Sequence, residues 1–286
     1  MELESLSARP LCDSAQLVDV DRAFGFMECS SCGFIFDSPR LTAEAINRHY
    51  SRPGQYDGWL DHLEEREGLW RRRLSKLRRH SKPGSLLDVG AGIGQFLDIA
   101  RHYFKETIGT EISESALSIA KKKYGLELLH GTIDSLDIPT VDNITLFHVL
   151  EHVPSPKDTL ARCYKLLKPG GRMFICVPNE INSLRSRVDA LKGRIYHAAL
   201  SPKTGLPKCG TTAEIHLSHF TPKTLSFGVS NAGFVVTSLS NDPYYVSSGW
   251  RLARNSIWYA IHEAFRLPTY PCTWLVAEKP ENPESR

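Results

Sequence analysis

Apolar and polar positions change rhythm three times along this chain. Short runs at 17–20, 24–27 and 33–36 are brief, rich in β-branched and aromatic residues, and bounded by turn formers, which predicts strands. From Leu41 to Lys82 the period turns helical. Leu60, Leu63, Trp70, Leu74 and Leu77 recur at three- and four-residue steps and their multiples, predicting one face of a long helix. From Ser85 onward, aliphatic runs at 85–89, 107–110, 126–130, 143–147 and 172–177 alternate with helical patterns at 94–104, 114–124 and 157–167. That is the βαβ rhythm of a parallel sheet covered on both faces. Two later apolar runs, 234–237 and 273–277, supply further strands. The expected class is α/β: a small β module over 1–40, a helical linker or cap over 41–82, and a main domain over 83–286 with an insertion at about 179–221.

The sharpest local signal is Leu86, Leu87, Asp88, Val89, Gly90, Ala91, Gly92, Ile93, Gly94, Gln95, Phe96, Leu97. A buried strand ends there, three alternate glycines turn the chain, and an amphipathic helix begins. Glycine lets the backbone take positive φ and lets a ligand approach the peptide plane, while the helix start offers free N–H groups. The spacing excludes a dinucleotide fingerprint, since Gln95 stands where the third glycine belongs, and excludes a P-loop, since no Gly-Lys-Ser/Thr follows. Further signals come at strand ends. The second strand runs into Glu111; Gly131, Thr132, Ile133 and Asp134 follow the third; Phe147, His148, Val149, Leu150, Glu151, His152, Val153 and Pro154 follow the fourth. Then come Leu167 to Gly171, a stop and turn before the fifth strand, and Val177, Pro178, Asn179.

In this order the motifs resemble class I S-adenosylmethionine (SAM)-dependent methyltransferases of the small-molecule branch, over about residues 85 to 180 with weaker runs at 216 to 234. The resemblance implies a Rossmann-like, doubly wound seven-stranded sheet whose last strand is inserted antiparallel. It implies SAM on a loop formed by Asp88, Gly90, Ala91, Gly92, Gly94 and Gln95. Glu111 would take the ribose hydroxyls beside Ile112, Thr132 and Ile133 would meet adenine, and Phe147 would close the fourth strand's tip. The family often carries an acid where Thr132 stands, so the adenine contact is expected through the backbone.

The methyl group of SAM is already activated, so the protein must align the acceptor, exclude water, and remove a proton from a hydroxyl or amine. His148 and His152, placed by their four-residue step on one helix face with Glu151 adjacent, are candidate bases, and His216 joins the catalytic candidates. Similarity to the Glu-x-x-Glu-His of some quinone and RNA 2′-O-methyltransferases suggests a divalent metal instead. His216 and His219 would then add ligands, and the histidine-rich set would favour zinc or iron. A third reading makes Glu151 and His152 fasteners of a helix start.

Cys29 and Cys32 form a Cys-x-x-Cys knuckle, and Cys12 stands where a second pair would be, with Arg9 replacing its first cysteine. The run resembles the cysteine-rich N-terminal region of one methyltransferase branch. Three thiolates leave a structural zinc one donor short. Either Asp13 or a distant histidine completes it, or the hairpins pack without metal.

Net charge is +3, too small to argue for nucleic acid, although Arg71, Arg72, Arg73, Lys76, Arg78 and Arg79 crowd one helix. That run reads as a solvated face or as a phosphate or RNA patch. An odd seven cysteines and a start without an apolar run suit a reducing, cytoplasmic setting, and no apolar stretch reaches membrane-spanning length. In the insertion, Ile181, Leu184, Val188, Leu191, Ile195 and Ala198 form a stripe with Arg185, Arg187, Lys192 and Arg194 elsewhere around it. With Lys203 and Lys208 beside Gly205 and Gly210, this predicts a lid over an acidic or phosphorylated acceptor, or a solvated helix. Near the end, Trp250, Ala253, Ile257, Ile261 and Ala264, with Trp258, Tyr259 and Phe265, are expected to cap the core or the acceptor pocket, the alternative being contact with lipid or a partner. The function implied is methyl transfer to a small molecule, a sugar or glycan precursor or a lipid or quinone intermediate. The competitors are an RNA methyltransferase and a non-catalytic module that keeps the fold.

Overall fold

The computed structural model describes residues 3–5, 11, 12, 14, 16–52, 54, 56–196, 200–209, 214–243, 246–267 and 269–281, without the side chains of 57 and 193–196. Strands β1 (Leu3–Glu4), β2 (Leu17–Asp21), β3 (Phe26–Cys29), β4 (Ile35–Asp37) and β5 (Arg40–Leu41) come first. Helices α1 (Ala43–Tyr50), α2 (Asp57–Leu60) and α3 (Leu63–Arg78) follow. The helical stretch is therefore broken, not one long helix. Leu60 ends a one-turn helix, and α3 starts afresh after Asp61 and His62.

The central succession is β6 (Ser85–Val89), α4 (Gln95–Ala100), β7 (Glu106–Glu111), α5 (Glu114–Ile119), β8 (Leu129–His130), β9 (Val141–Phe147), α6 (Pro156–Leu166) and β10 (Leu167–Pro178). After it come α7 (Leu184–Tyr196), β11 (Ser218–His219), α8 (Pro222–Asn231), β12 (Val235–Asn241), α9 (Gly249–Ala264) and β13 (Cys272–Glu278). Seven strands lie in the order β12-β13-β10-β9-β6-β7-β8. The five from β8 to β10 are parallel, and β13 runs antiparallel between β10 and β12. The doubly wound seven-stranded sheet is thus as the sequence pattern and the resemblance imply. The third strand shrinks to two residues, because at the sheet edge only Thr110 and Glu111 of β7 pair with it.

Both sheet faces are buried. One carries Leu74, Leu77, Phe96, Phe174 and Trp274 under α3 and α4. The other carries Leu146, Leu160, Ile175, Leu225 and Phe234 under α6 and α8, and Leu11, Cys29, Phe34 and Phe36 of the N-terminal strands join that same core. Those strands build a second sheet, β11-β4-β3-β2, whose edge strand β11 comes from the chain after β10 and α7. Among the described residues no helix is long and apolar enough to cross a membrane.

Candidate active site

A cavity of about 600 Å³ opens at the carboxyl ends of β6, β7 and β9, where open α/β sheets bind ligands. Its floor is Val89, Gly90, Gly92, Glu111 and Ile112; Gly131, Thr132, Ile133 and Asp134 form one side; Phe147, His148, Val149 and His152 form another. The roof comes from α1, α3 and the residues joining them, through Tyr50, Tyr56, Trp59, Arg66 and Trp70.

The bend at 90–94 needs its glycines for two different reasons. Gly90 has φ +68°, and a Cβ there would meet Val149 Cγ2 at 2.8 Å; Gly94 has φ +79° and would meet Leu126 and Ala120. The first keeps the cavity floor thin, while the second lets α4 pack on the residues after α5. Gly92 lies beneath Trp59, over whose ring Arg66 stacks at 3.8 Å.

Glu111 is buried and faces the cavity. Its Oε2 accepts from the Gly92 N–H at 2.8 Å, and Oε1 from the Ile112 and Ser113 N–H groups at 2.9 Å each. Burial pushes its pKa up, and those three amides pull it back. A carboxylate has roughly four acceptor positions, so a hydroxyl arriving from the cavity still finds one on Oε2. Four of the other expected cofactor residues stand behind the wall. Asp88 accepts from Thr145 Oγ1 at 2.6 Å and is pushed up to about 7 by burial. Ala91 N–H binds the Thr110 carbonyl. Gln95 is held by Trp70 Nε1–H and donates to the Leu63 carbonyl, tying α4 to α3. Gly94 is spent on packing.

The run 148–154 is a tight turn, not a helix face. His148 sits at φ +58°, and α6 begins only after the Ser155 cap. The turn brings Glu151 against both histidines. Arg73 Nη2 donates to His148 Nε2 at 2.8 Å, so Nδ1 carries the proton and donates to Glu151 Oε1 at 3.1 Å. His152 Nδ1–H points at the Ile215 carbonyl at 2.6 Å and the Tyr50 hydroxyl at 2.9 Å. Its Nε2 is therefore the unprotonated nitrogen, 4.0 Å from Glu151 Oε1. Burial lowers the His152 pKa and keeps the ring neutral.

His216 lies next to His152, ring centroids 4.8 Å apart. Its Nδ1–H donates to Glu180 Oε1 at 2.7 Å, and Nε2 is 3.7 Å from Glu214. Burial opposes its charge, but these two acids outweigh burial and raise its pKa to about 11. His219 bridges Glu180 and Asp37 at 2.8 Å each and rises to about 9 against the same burial penalty. Burial works to raise the Glu180 carboxyl too, yet the two imidazoliums hold it far below the usual range. A continuous polar seam thus runs from Asp242 through Arg73, His148, Glu151 and His216 to Glu180, His219 and Asp37.

Sequence reasoning missed Arg73, Glu180 and most of the roof. Arg73 was grouped with the solvated or RNA-facing cations of α3. It is wholly buried, gripping Asp242 through Nε at 3.1 Å and Nη2 at 2.5 Å. Lys76, one turn on, reaches the Asn241 carbonyl, Tyr259 and Glu263. Among the described residues of the lid expected over 179–221, Glu214 alone lines the cavity. Leu184, Val188 and Leu191 of its stripe face solvent, while Ile181 packs against Phe26, Ile35 and Leu206. Ala198 and Gly210 fall outside the described residues, as do the side chains of Arg194 and Ile195. The only advance signal for the roof was Tyr50, Tyr56 and Trp59, too many aromatics for an ordinary linker.

Cys12, Cys29 and Cys32 do converge, Cys12 Sγ lying 3.4 Å from Cys29 Sγ. Burial raises Cys32 to about 12; it opposes Cys29 as well, but hydrogen bonds from Cys32 and Cys12 bring that thiol down to about 7. Among the described residues no histidine or carboxylate joins the trio, and Arg9 and Asp13 lie outside them. The donors fit a thiophilic ion but supply three of the four positions structural zinc takes.

Known proteins resemble the chain in sequence and in fold. A sequence profile of the family described as methyltransferase domain matches residues 62–239, more than half of the chain. The chain is 34% identical over 125 residues to the ubiquinone biosynthesis O-methyltransferase of Burkholderia multivorans, covering 41% of this chain and 53% of that protein. It is 29% identical over 187 residues to the ubiquinone biosynthesis O-methyltransferase of an Azoarcus species, covering 62% and 76%. The chain spans about half the length of the first curated relatives it matches. A SAM-dependent methyltransferase from Thermotoga maritima shares the fold, with TM-score 0.53, 18% identity, and coverage of 81% of this chain and 99% of that one. With the strand order, the glycine bend and the acid at the tip of β7, this places the chain in the class I SAM-dependent methyltransferase family.

Proposed function

We propose that the cavity binds SAM and delivers its methyl group to a hydroxyl of a small, ring-bearing acceptor, with His152 taking the proton. One observation carries the reading: Gly90, Gly92, Glu111 and His152 line one continuous space. Its volume falls within the ~300–1,000 Å³ usual for ligand pockets. The methionine end would lie over Gly90 and Gly92, the ribose on Glu111, and adenine beside Thr132 and Ile133. The acceptor would enter between Tyr50, Tyr56, Trp70 and Phe147, whose faces suit a flat or apolar ring. Arg66 in the same wall favours an acceptor with an acidic group. The names of the Burkholderia and Azoarcus relatives support a quinone-type precursor ahead of a sugar. Burial of Arg73 and Lys76 takes two cations from the run that favoured RNA.

Within this reading His152 is oriented by Ile215 and Tyr50, stays neutral near pH 7, and presents Nε2 to the acceptor oxygen. The proton leaves the hydroxyl as the oxygen takes the methyl group, and Glu151 stabilises the resulting imidazolium. The carboxylate, His148 and Arg73 form the support that holds the turn in place.

A second reading, metal assistance, is favoured by Glu151 Oε2, which is buried with no hydrogen-bond partner among the described residues. Ligand atoms of Glu151, His152 and His216 lie within 4.8 Å of one another, and Ile215 and Glu180 orient the two rings as outer-shell partners do. These residues would hold a divalent ion, which when bound supplies Lewis acidity toward an acceptor oxygen.

Calorimetry with SAM and S-adenosylhomocysteine, followed by turnover of a catechol panel, tests the proposal. Micromolar binding that persists in His152→Ala, with turnover lost at least ~100-fold, supports His152 as base. Loss of activity on chelation, with manganese(II) restoring it, would replace the base with the metal. Absence of SAM binding sinks both.

A further inference from the structure

Helix α9 is inside out. Apart from Leu252, the residues it turns inward carry polar groups: Asn255 bonds Ser247, Tyr259 meets Lys76, His262 is buried, and Glu263 accepts from the Asn241 N–H and Lys76. The opposite side, which periodicity predicted would cap the core or the acceptor pocket, faces water. Trp250 is 68% exposed, Ile257 64%, Trp258 44%, Ile261 41% and Phe265 73%. These positions step along one helix face. A water-soluble helix buries its apolar stripe; one that exposes it, and spends its polar stripe inside, has a second apolar phase to satisfy.

A second exposed apolar stripe lies on α7, at Leu184, Val188 and Leu191. The N–H of Leu184, first residue of α7, donates to the carbonyl of Thr269, five residues past the end of α9, so α7 starts close to where α9 ends. Cations stand in and around these stripes. Arg254 lies within the α9 stripe, one turn from both Trp250 and Trp258, Arg251 approaches the Trp250 ring beside it, Arg266 follows the last turn, and Arg185 and Lys192 flank the α7 stripe. The acids offer little in return: Glu263 is turned inward to Lys76, and Asp189 is shared by Arg185 and Lys192.

We propose that the α7 and α9 face docks on an anionic lipid bilayer, lying in the interface with Trp250, Ile257, Trp258, Ile261 and Phe265 among the acyl chains. Tryptophan and phenylalanine between arginines is the composition of helices that lie in the headgroup region, where the ring is buried and the guanidinium meets phosphate. Charge decides between lipid and a second copy of the chain. Two copies would bring these cations together, whereas an anionic surface complements them. The proposal does not rest on methyl transfer, so either can fail alone. It does connect to the site through α3, where Lys76 touches α9 and Trp70 and Arg73 line the cavity.

The test is sedimentation of the full chain with phosphatidylcholine vesicles containing or lacking phosphatidylglycerol, alongside light scattering to give its mass. Binding is expected to the anionic vesicles and to weaken as salt rises from about 0.1 M to about 1 M. In Ile257→Glu/Phe265→Glu, partitioning should fall at least ~tenfold; Arg251→Glu/Arg254→Glu should remove the preference for anionic lipid. As a readout free of added charge, brominated lipid should quench wild-type tryptophan fluorescence more than that of Trp250→Phe. No sedimentation with either composition overturns the proposal. So does a dimer, vesicle-indifferent, that the Ile257→Glu/Phe265→Glu variant dissociates.

Discussion

Replacing Arg73 with methionine should be among the costliest single changes in this protein. The guanidinium is wholly buried, bonds both oxygens of an equally buried Asp242, and holds His148. Methionine fills most of the volume but leaves a carboxylate in the interior with its counter-charge gone. Removing one partner of a buried pair costs about 3–5 kcal/mol, mostly the penalty on the charge left behind. For a chain of this length that corresponds to a fall in melting temperature on the order of 10 °C. If the penalty arises from the orphaned Asp242, then Arg73→Met/Asp242→Leu should recover most of it, because an apolar pair needs no desolvation. Chemical denaturation of the wild type, both singles and the double would close the cycle. Two outcomes would refute the reasoning: a single-variant loss below about 1 kcal/mol, or a double variant no more stable than Arg73→Met.

Glu111→Ala removes the acceptor expected to hold the ribose, so S-adenosylhomocysteine affinity measured by calorimetry should drop ~10–100-fold, as for loss of hydrogen bonds to a charged group. Gly90→Ala combines left-handed strain, roughly 1 kcal/mol, with the Val149 clash at 2.8 Å; cofactor affinity should fall, and Gly90→Ala/Val149→Ala should regain part of it. The seam of His216, His219 and Glu180 has a defined pH signature in thermal melts. The two histidines are raised above 6.5, so their contribution is full below that pH and fades as pH climbs through about 9 for His219 and about 11 for His216. Glu180 is depressed from 4.5, so its share fades as pH falls below that value. Replacing His219 with glutamine should flatten the alkaline limb; an unchanged limb would show that the seam does not set it.

The inner strands β6, β9, β10 and β13 were legible because they are buried on both faces, leaving little else for their aliphatic runs to mean. The cavity floor was legible for the same reason: Gly90, Gly92 and Glu111 sit at strand tips, where local signals and ligand position coincide. Arg73 was not. Arg71 and Arg72 beside it look identical in a list, and what distinguishes Arg73 is an aspartate 169 residues away. Periodicity placed Leu184, Val188 and Leu191 on one side of α7, and Trp250, Ile257 and Ile261 on one side of α9, yet was silent on which side faces inward, since an amphipathic pattern has no sign until a partner supplies one. The turn at 148–154 was mistaken for a helix face because a four-residue histidine step fits both, and only the φ of His148 separates them.

The two-residue strand β11 imposes an order of assembly. It pairs with β4, and His219 within it meets Asp37 across a sequence separation of 182. Closing so large a loop is entropically slow, and it waits until the chain has been made past residue 219. The glycine bend and Glu111 can form early from neighbouring segments. Ile215, whose carbonyl accepts from His152, and His216, whose ring lies beside it, come from the segment just before β11. A chain ending before residue 215 would hold the glycine bend and Glu111 in its sequence yet lack both the carbonyl that orients His152 and the strand that closes the second sheet.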